Sequence, residues 1–212
     1  MIVILGMHRS GTSLVAGLLH HLGVFMGEND ITSDPWQHYE DPTFVSLNQQ
    51  LLSSAGGSWS KPPSAEAIWR FSHQYNERIQ RLLRERSSFS HWGFKDPRTC
   101  LTINLWHHHL LLWSTPRYVM VWRERERIVS SLYQRAKIIG DDDRTEAEWT
   151  QLLGAYWGRV INFLSLYHPN YHAVWYEDLI NPAISESIVR SLADFCDIPF
   201  NSDALSFIQV PS

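Results

Sequence analysis

Four short runs of consecutive apolar residues, Ile2–Leu5, Trp92–Phe94, Tyr118–Trp122 and Ala173–Trp175, are bounded by polar or turn-forming residues. Between them lie longer stretches with helical spacing of apolar positions: Thr12–Leu22, Thr43–Ser53, Ala65–Arg86, Thr99–Trp113, Glu126–Ile138, Glu146–Tyr167 and Pro182–Phe195. Unbroken apolar runs suit strands covered on both faces, and their alternation with helices predicts an α/β fold with a central parallel sheet flanked by helices. Pro182 is expected in the first turn of the last helix, where a missing N–H leaves no bond unmade. The turn-rich stretches Glu28–Pro42 and Ser53–Ser64 are too short to separate domains and no repeat is present, so residues 1–212 are expected to form a single domain.

Composition narrows the class. The 212 residues carry 18 Lys+Arg against 22 Asp+Glu, a net charge of −4, with 44% hydrophobic and 19% charged residues. This excludes disorder and coiled coil and predicts no nucleic-acid partner. Of the cations 15 are arginines, and only Lys61, Lys95 and Lys137 are lysines. Such a bias suits planar, multidentate recognition of phosphate or sulfate. Cys100 and Cys196 are too far apart in sequence for a CxxC pair and make no disulfide framework, so a reducing compartment is expected. The apolar stretch Leu14–Met26 is broken by His20, His21 and Gly23, and no basic segment precedes Met1-Ile2-Val3. No membrane span and a cytoplasmic location are the expectation.

The first strand runs into Gly6-Met7-His8-Arg9-Ser10-Gly11-Thr12-Ser13 and then into an apolar helix. In a strand, glycine-bounded loop and helix, backbone N–H groups converge, the helix N-terminus adds positive charge, and the hydroxyls of Ser10, Thr12 and Ser13 complete a cradle for an oxyanion. The spacing matches the P-loop GxxxxGK[ST], but Thr12 occupies the lysine position and the cation is Arg9. A later strand, Tyr118–Trp122, ends in Arg123 where a magnesium-binding carboxylate would serve an ATPase. Both departures point away from ATP with Mg²⁺ and toward two anionic groups on one ligand.

These residues resemble the sulfotransferases that use 3′-phosphoadenosine-5′-phosphosulfate (PAPS), a family with a P-loop NTPase-like fold. His8-Arg9-Ser10-Gly11-Thr12-Ser13 is similar to the family's 5′-phosphosulfate loop, with Arg9 in place of the basic residue that meets the bridging oxygen and sulfuryl group. The segment from Val121 to Arg135 resembles the 3′-phosphate motif, which implies binding roles for Arg123, Ser131 and Arg135; Ser130 is the substitute if the helix phase differs. Gly93-Phe94-Lys95-Asp96-Pro97-Arg98 is similar to a motif of tyrosylprotein sulfotransferases and their bacterial relatives, which makes Lys95 a catalytic cation. Val174-Trp175-Tyr176-Glu177-Asp178-Leu179 resembles a segment that brings a tyrosine, here Tyr176, near the nucleotide. The C-terminal nucleotide loop of the cytosolic small-molecule enzymes is not found, and Glu124 and Arg125 replace the usual small residue and Pro or Gly after the motif arginine.

The resemblance implies sulfuryl transfer from PAPS to a hydroxyl of a small molecule, carbohydrate or peptide, with adenosine 3′,5′-bisphosphate (PAP) as product and no metal. Positioning and charge stabilisation dominate such chemistry, and a base must receive the acceptor's proton. Glu40, in His38-Tyr39-Glu40-Asp41-Pro42, resembles an element of bacterial relatives and is the first candidate; capping of the following helix by Glu40 or Asp41 is the alternative. Glu28 and His38 are the other candidates. Trp36 and Trp59 are the tryptophans to test for acceptor contact. Consecutive His107-His108-His109 point about 100° apart on a helix and cannot share a metal. Asp141-Asp142-Asp143 lacks calcium-loop spacing, Arg125 and Arg127 read as a solvated turn with Glu124 and Glu126, and Asp96 is expected to orient Lys95 or Arg98. The rival functions are a P-loop kinase or NTPase using ATP and Mg²⁺, and a catalytically silent nucleotide-binding protein.

Overall fold

The structure, a computed structural model, describes residues 1–27, 39–140 and 142–209. Strand β1 (Ile2–Leu5) is followed by helices α1 (Thr12–His21), α2 (Pro42–Ser54), α3 (Ala65–Ser72) and α4 (Asn76–Arg86). Then β2 (Gly93–Lys95) leads into α5 (Thr99–Leu111), β3 (Arg117–Trp122) into α6 (Arg125–Ile139) and α7 (Glu146–Tyr167), and β4 (Tyr171–Trp175) into α8 (Tyr176–Leu179) and α9 (Ser185–Cys196). A 3-10 segment, Ser202–Gln209, follows.

The strands form one sheet in the order β2-β1-β3-β4, every pair parallel. Alternate side chains of the sheet feed two cores. Val3, Leu5, Phe94, Tyr118 and Met120 pack with residues of α2, α4, α5, α6 and α7. Ile2, Ile4, Val119, Val121 and Val174 pack with α1 and α9 on the other face. Burial on both faces explains why β1 reads as an unbroken apolar run. The chain leaves β1 for β2 on one side and reaches β3 on the other, so the strand order reverses at β1. The loops after β1 and β3 therefore border the crevice in which open α/β sheets hold ligands.

Two expectations are corrected by the fold. The single helix expected over Ala65–Arg86 is interrupted by a 3-10 turn at His73–Tyr75, which buries Tyr75 and lets its hydroxyl donate to the Gln50 carbonyl and meet Ser54 Oγ at 2.6 Å. Pro182 does not start the last helix. Asn181 Oδ1 accepts from the Ala183 N–H in a preceding turn, and α9 begins at Ser185. The segment that begins at Tyr176 forms the short helix α8. No helix among the described residues is long and apolar enough to cross a membrane.

Candidate active site

The loop between β1 and α1 owes its path to two left-handed residues. Arg9 has φ 68° and Gly11 has φ 93°, and the Ser10 N–H donates to the Met7 carbonyl at 3.1 Å. Alternating handedness of this kind turns successive peptide dipoles inward and makes an anion-binding concavity. The first turn of α1 contains no acidic residue, so its N-terminal partial charge is not offset there. A Cβ at Gly6 would stand 2.6 Å from Ser10 Oγ and 3.0 Å from the Val121 carbonyl, which explains the glycine by close packing of the loop onto β3.

The segment after β3 is stitched to this loop. Arg123 Nη1 donates to the Arg9 carbonyl at 2.8 Å, and Arg9 Nε donates to Ser131 Oγ at 2.8 Å. Arg123 lies over the Tyr176 ring, 4.4 Å from guanidinium carbon to centroid, and its Nε is 3.9 Å from Glu177 Oε1. Tyr176 in turn closes on Gly11, whose added Cβ would be 2.2 Å from the ring. Ser131 is half-buried while Ser130 is exposed, so the helix phase turns Ser131 toward the loop. Burial first, then the neighbouring Arg123 and Arg135, holds the Arg9 guanidinium below its ordinary pKa. Arg125 and Arg127 pair with Glu126 and Glu124 on the exposed turn. Ser10 Oγ, Arg123 Nε and Glu177 Oε2 are buried without hydrogen-bond partners among the described residues.

At the end of β2, Lys95 Nζ donates to Glu40 Oε1 at 2.8 Å and to Ser13 Oγ at 3.2 Å. Burial lowers the Lys95 pKa, opposed by Glu40 and Asp96. Arg98 Nη1 is 2.7 Å from Asp96 Oδ1 and 3.6 Å from Glu40 Oε2. Burial works against the Arg98 charge, but Asp96 and Glu40 leave its pKa raised. Asp96 Oδ2 accepts from Asn48 Nδ2 at 2.8 Å, and Asn48 Oδ1 accepts from Thr102 and Trp106. Asn48, buried on α2, is thus the hub that fixes the start of α5; nothing local in the sequence marks it. The capping of α2 falls to Asp41 alone: its Oδ1 accepts from the Thr43 N–H at 2.8 Å, while Oδ2 accepts from Arg86. Glu40 is left to face Lys95 and Arg98.

Nothing in the loop's sequence sets His8 apart, and the structure gives it a distinct setting. Its ring centroid is 4.8 Å from that of Trp59 and 6.3 Å from that of Tyr156, and its Nε2 is buried without a partner among the described residues. Burial, followed by Arg98, Lys95, Arg135 and Arg9, depresses its pKa well below the usual imidazole value. Trp59 therefore lies against the loop, while Trp36, Glu28, His38 and Asp141 fall outside the described residues. His107, His108 and His109 go separate ways, to Tyr118, Tyr167 and Gln80. Asp142 pairs with Arg144.

A family model described as "Sulfotransferase family" matches residues 2–202. Among solved structures, the chain is similar to the sulfotransferase domain from the curacin biosynthetic pathway, with TM-score 0.63 and 19% identity over 100% of this chain and 78% of that one. It is likewise similar to the sulfotransferase domain from the Synechococcus PCC 7002 olefin synthase, with TM-score 0.60 and 17% identity over the same shares. At these identities the likeness is one of fold. No curated protein matches the sequence.

Proposed function

The chain belongs to the sulfotransferase family, and on that premise we propose that it moves the sulfuryl group of PAPS to a hydroxyl acceptor, releasing PAP. The observation that carries the donor's identity is the joining of two cationic elements in one crevice. Arg9 bonds Ser131 of α6, and Arg123 bonds the Arg9 carbonyl. A nucleoside with anionic groups on both the 3′ and the 5′ oxygen of its ribose satisfies both.

The residues fit such a ligand. Ser10 Oγ and Arg123 Nε are buried polar atoms in want of partners, which cost free energy unless a ligand or water meets them. Arg123 and Arg135 both oppose the charge of Arg9, and an anion among them would offset that repulsion. In this reading Ser10, Gly11, Thr12 and Ser13 cradle the 5′-phosphosulfate, Arg123, Ser131 and Arg135 hold the 3′-phosphate, and Tyr176 packs beside the nucleotide. When bound, PAPS supplies a sulfuryl group on a phosphate leaving group. Arg9 and Lys95 face the charge that grows on the phosphate oxygen as the sulfuryl group departs. Glu40 anchors Lys95 and Arg98, and it becomes a base only by parting from Lys95. The acceptor screen covers small-molecule, carbohydrate and peptide hydroxyls. Residues 1–212 are taken as one sulfotransferase domain, and two free, buried cysteines suit a reducing, cytoplasmic setting.

The test is calorimetric titration with PAP, without metal, beside ATP with Mg²⁺. Wild-type protein is expected to bind PAP in the micromolar range without metal. Arg123→Ala is expected to weaken binding by roughly 10- to 100-fold, the loss of one charge-assisted hydrogen bond. Binding of ATP with Mg²⁺ alone would overturn the reading in favour of phosphoryl transfer.

A further inference from the structure

The donor site leaves the acceptor's proton without a destination. From the geometry we infer that Nε2 of His8 receives it, Glu40 serving to hold Lys95 and Arg98; the inference rests on the sulfuryl-transfer reading above.

Four observations carry it. His8 is part of the anion loop itself, one residue before Arg9, so it needs no separate element to reach the reacting end. Its Nε2 is buried without a partner among the described residues, whereas roughly nine in ten buried polar groups are satisfied. An unpaired atom in such a place is a vacant acceptor. The ring is also held in orientation. Trp59 packs at 4.8 Å, its carbonyl accepts from the Tyr156 hydroxyl at 2.9 Å, and Trp149 stacks behind it at 6.1 Å. Arg144 and Arg159 tie down the same loop through the carbonyls of Ser60 and Pro63. Finally, the rival carboxylate is occupied: Glu40 Oε1 is 2.8 Å from Lys95 Nζ and Oε2 is 3.6 Å from Arg98 Nη1.

The electrostatics suit a base that must be neutral before reaction and charged after it. The charged groups that bear on the ring are Arg9 of the loop, Lys95 at the end of β2, Arg98 before α5, and Arg135 of α6. From α7, Tyr156 faces it as a neutral phenol, because burial pushes its pKa well up. Burial and the four cations keep the imidazole unprotonated at pH 7, with its lone pair available. An anionic donor offsets those same cations and raises the basicity of His8 when the proton has to move. In the step, the acceptor O–H bond breaks toward Nε2 and the acceptor oxygen forms the new O–S bond. The S–O bond to the 5′-phosphate breaks with its electron pair left on the phosphate oxygen, opposite Arg9 and Lys95. His8 ends as an imidazolium and returns its proton to solvent once product has left.

The test separates this inference from the donor reading. In ¹⁵N-labelled wild-type protein, assigned by comparison with His8→Gln, the inference expects neutral His8 to carry its proton on Nδ1. It also expects the imidazole pKa to rise on saturation with PAP. Turnover of PAPS is followed against pH with phenol and water as acceptors. His8→Gln is expected to keep PAP affinity within about threefold while kcat falls roughly 10²- to 10⁴-fold and the acidic limb of the kcat/KM profile disappears. His8→Asn guards against a folding defect confined to one variant. A neutral His8 ring that carries its proton on Nε2, a His8 pKa unmoved by PAP, or a His8→Gln enzyme of wild-type rate, overturns the inference and returns the proton to Glu40, while PAP binding leaves the donor reading standing. Failure of the wild-type protein to bind PAP brings down both.

Discussion

A methyl group at Gly11 would meet two obstacles at once. It would have to sit at φ 93°, where an L residue is strained, and it would stand 2.2 Å from Cδ2 and 2.9 Å from Cε2 of Tyr176. These are ring atoms packed beneath Arg123 rather than the end of a flexible chain. Gly11→Ala is therefore expected to lose about 1 to 2 kcal/mol from the backbone alone and more from displacement of Tyr176. Urea unfolding of Gly11→Ala and of Gly11→Ala with Tyr176→Ala separates the two causes. Removing the ring should recover only the steric part. If the single and double variants are equally stable, the ring does not press on the loop. On the proposed reading PAP binding should weaken in both, since the loop path and the tyrosine are in contact.

Helix α2 shows how far element-level reasoning reaches. Its first turn depends on Asp41, which caps the Thr43 N–H and holds Arg86 of α4 through a buried ion pair of 2.7 Å. Asp41→Asn keeps a capping oxygen but leaves the Arg86 guanidinium buried and unpaired. A loss of roughly 3 to 5 kcal/mol is expected, partly restored by adding Arg86→Met, in a double-mutant cycle read by urea unfolding. The ends of the strands were legible in the sequence because apolar runs stop where chemistry begins: Arg9 follows β1, Lys95 ends β2, and Arg123 follows β3. Local pattern also placed α7 at its observed bounds, where Thr145 and Glu148 form a complete capping box. Other features were not legible, two of the three because they depend on distant residues. The break at His73–Tyr75 answers to α2, the Asn181 turn displaces the expected helix start, and the division of labour between Glu40 and Asp41 follows from Lys95 on one side and Arg86 on the other. His8 was in plain view within the motif, yet its setting depends on three cations, Lys95, Arg98 and Arg135, and an aromatic wall contributed by other segments.

Across the whole molecule the net charge is −4, while Arg9, Lys95, Arg98, Arg123 and Arg135 gather at the carboxyl ends of the strands. This concentration of like charge couples stability to pH and to the ligand. The folded-state pKa of His8 is depressed, and His107, His109 and His172 are lowered by burial as well. Below the ordinary imidazole value near 6.5 the unfolded chain binds protons that the folded chain refuses. Stability is therefore complete above that value, falls as pH drops through it, and levels off once the folded-state values are passed. On the inference drawn above, an anion in the crevice offsets the cations around His8 and lets it accept its proton in the folded state. At a hundredfold excess over its dissociation constant, PAP should stabilise the protein by about 2.7 kcal/mol, or roughly 5 to 10 °C in Tm. The ionisation of the ligand's own phosphates contributes equally to wild-type and His8→Gln proteins. The difference between their PAP-induced Tm shifts therefore isolates the histidine, and it should widen in favour of the wild type from pH 7.5 to pH 6. Parallel shifts in the two proteins across that range would show that His8 does not sense the bound anion, whatever the fate of the acceptor's proton.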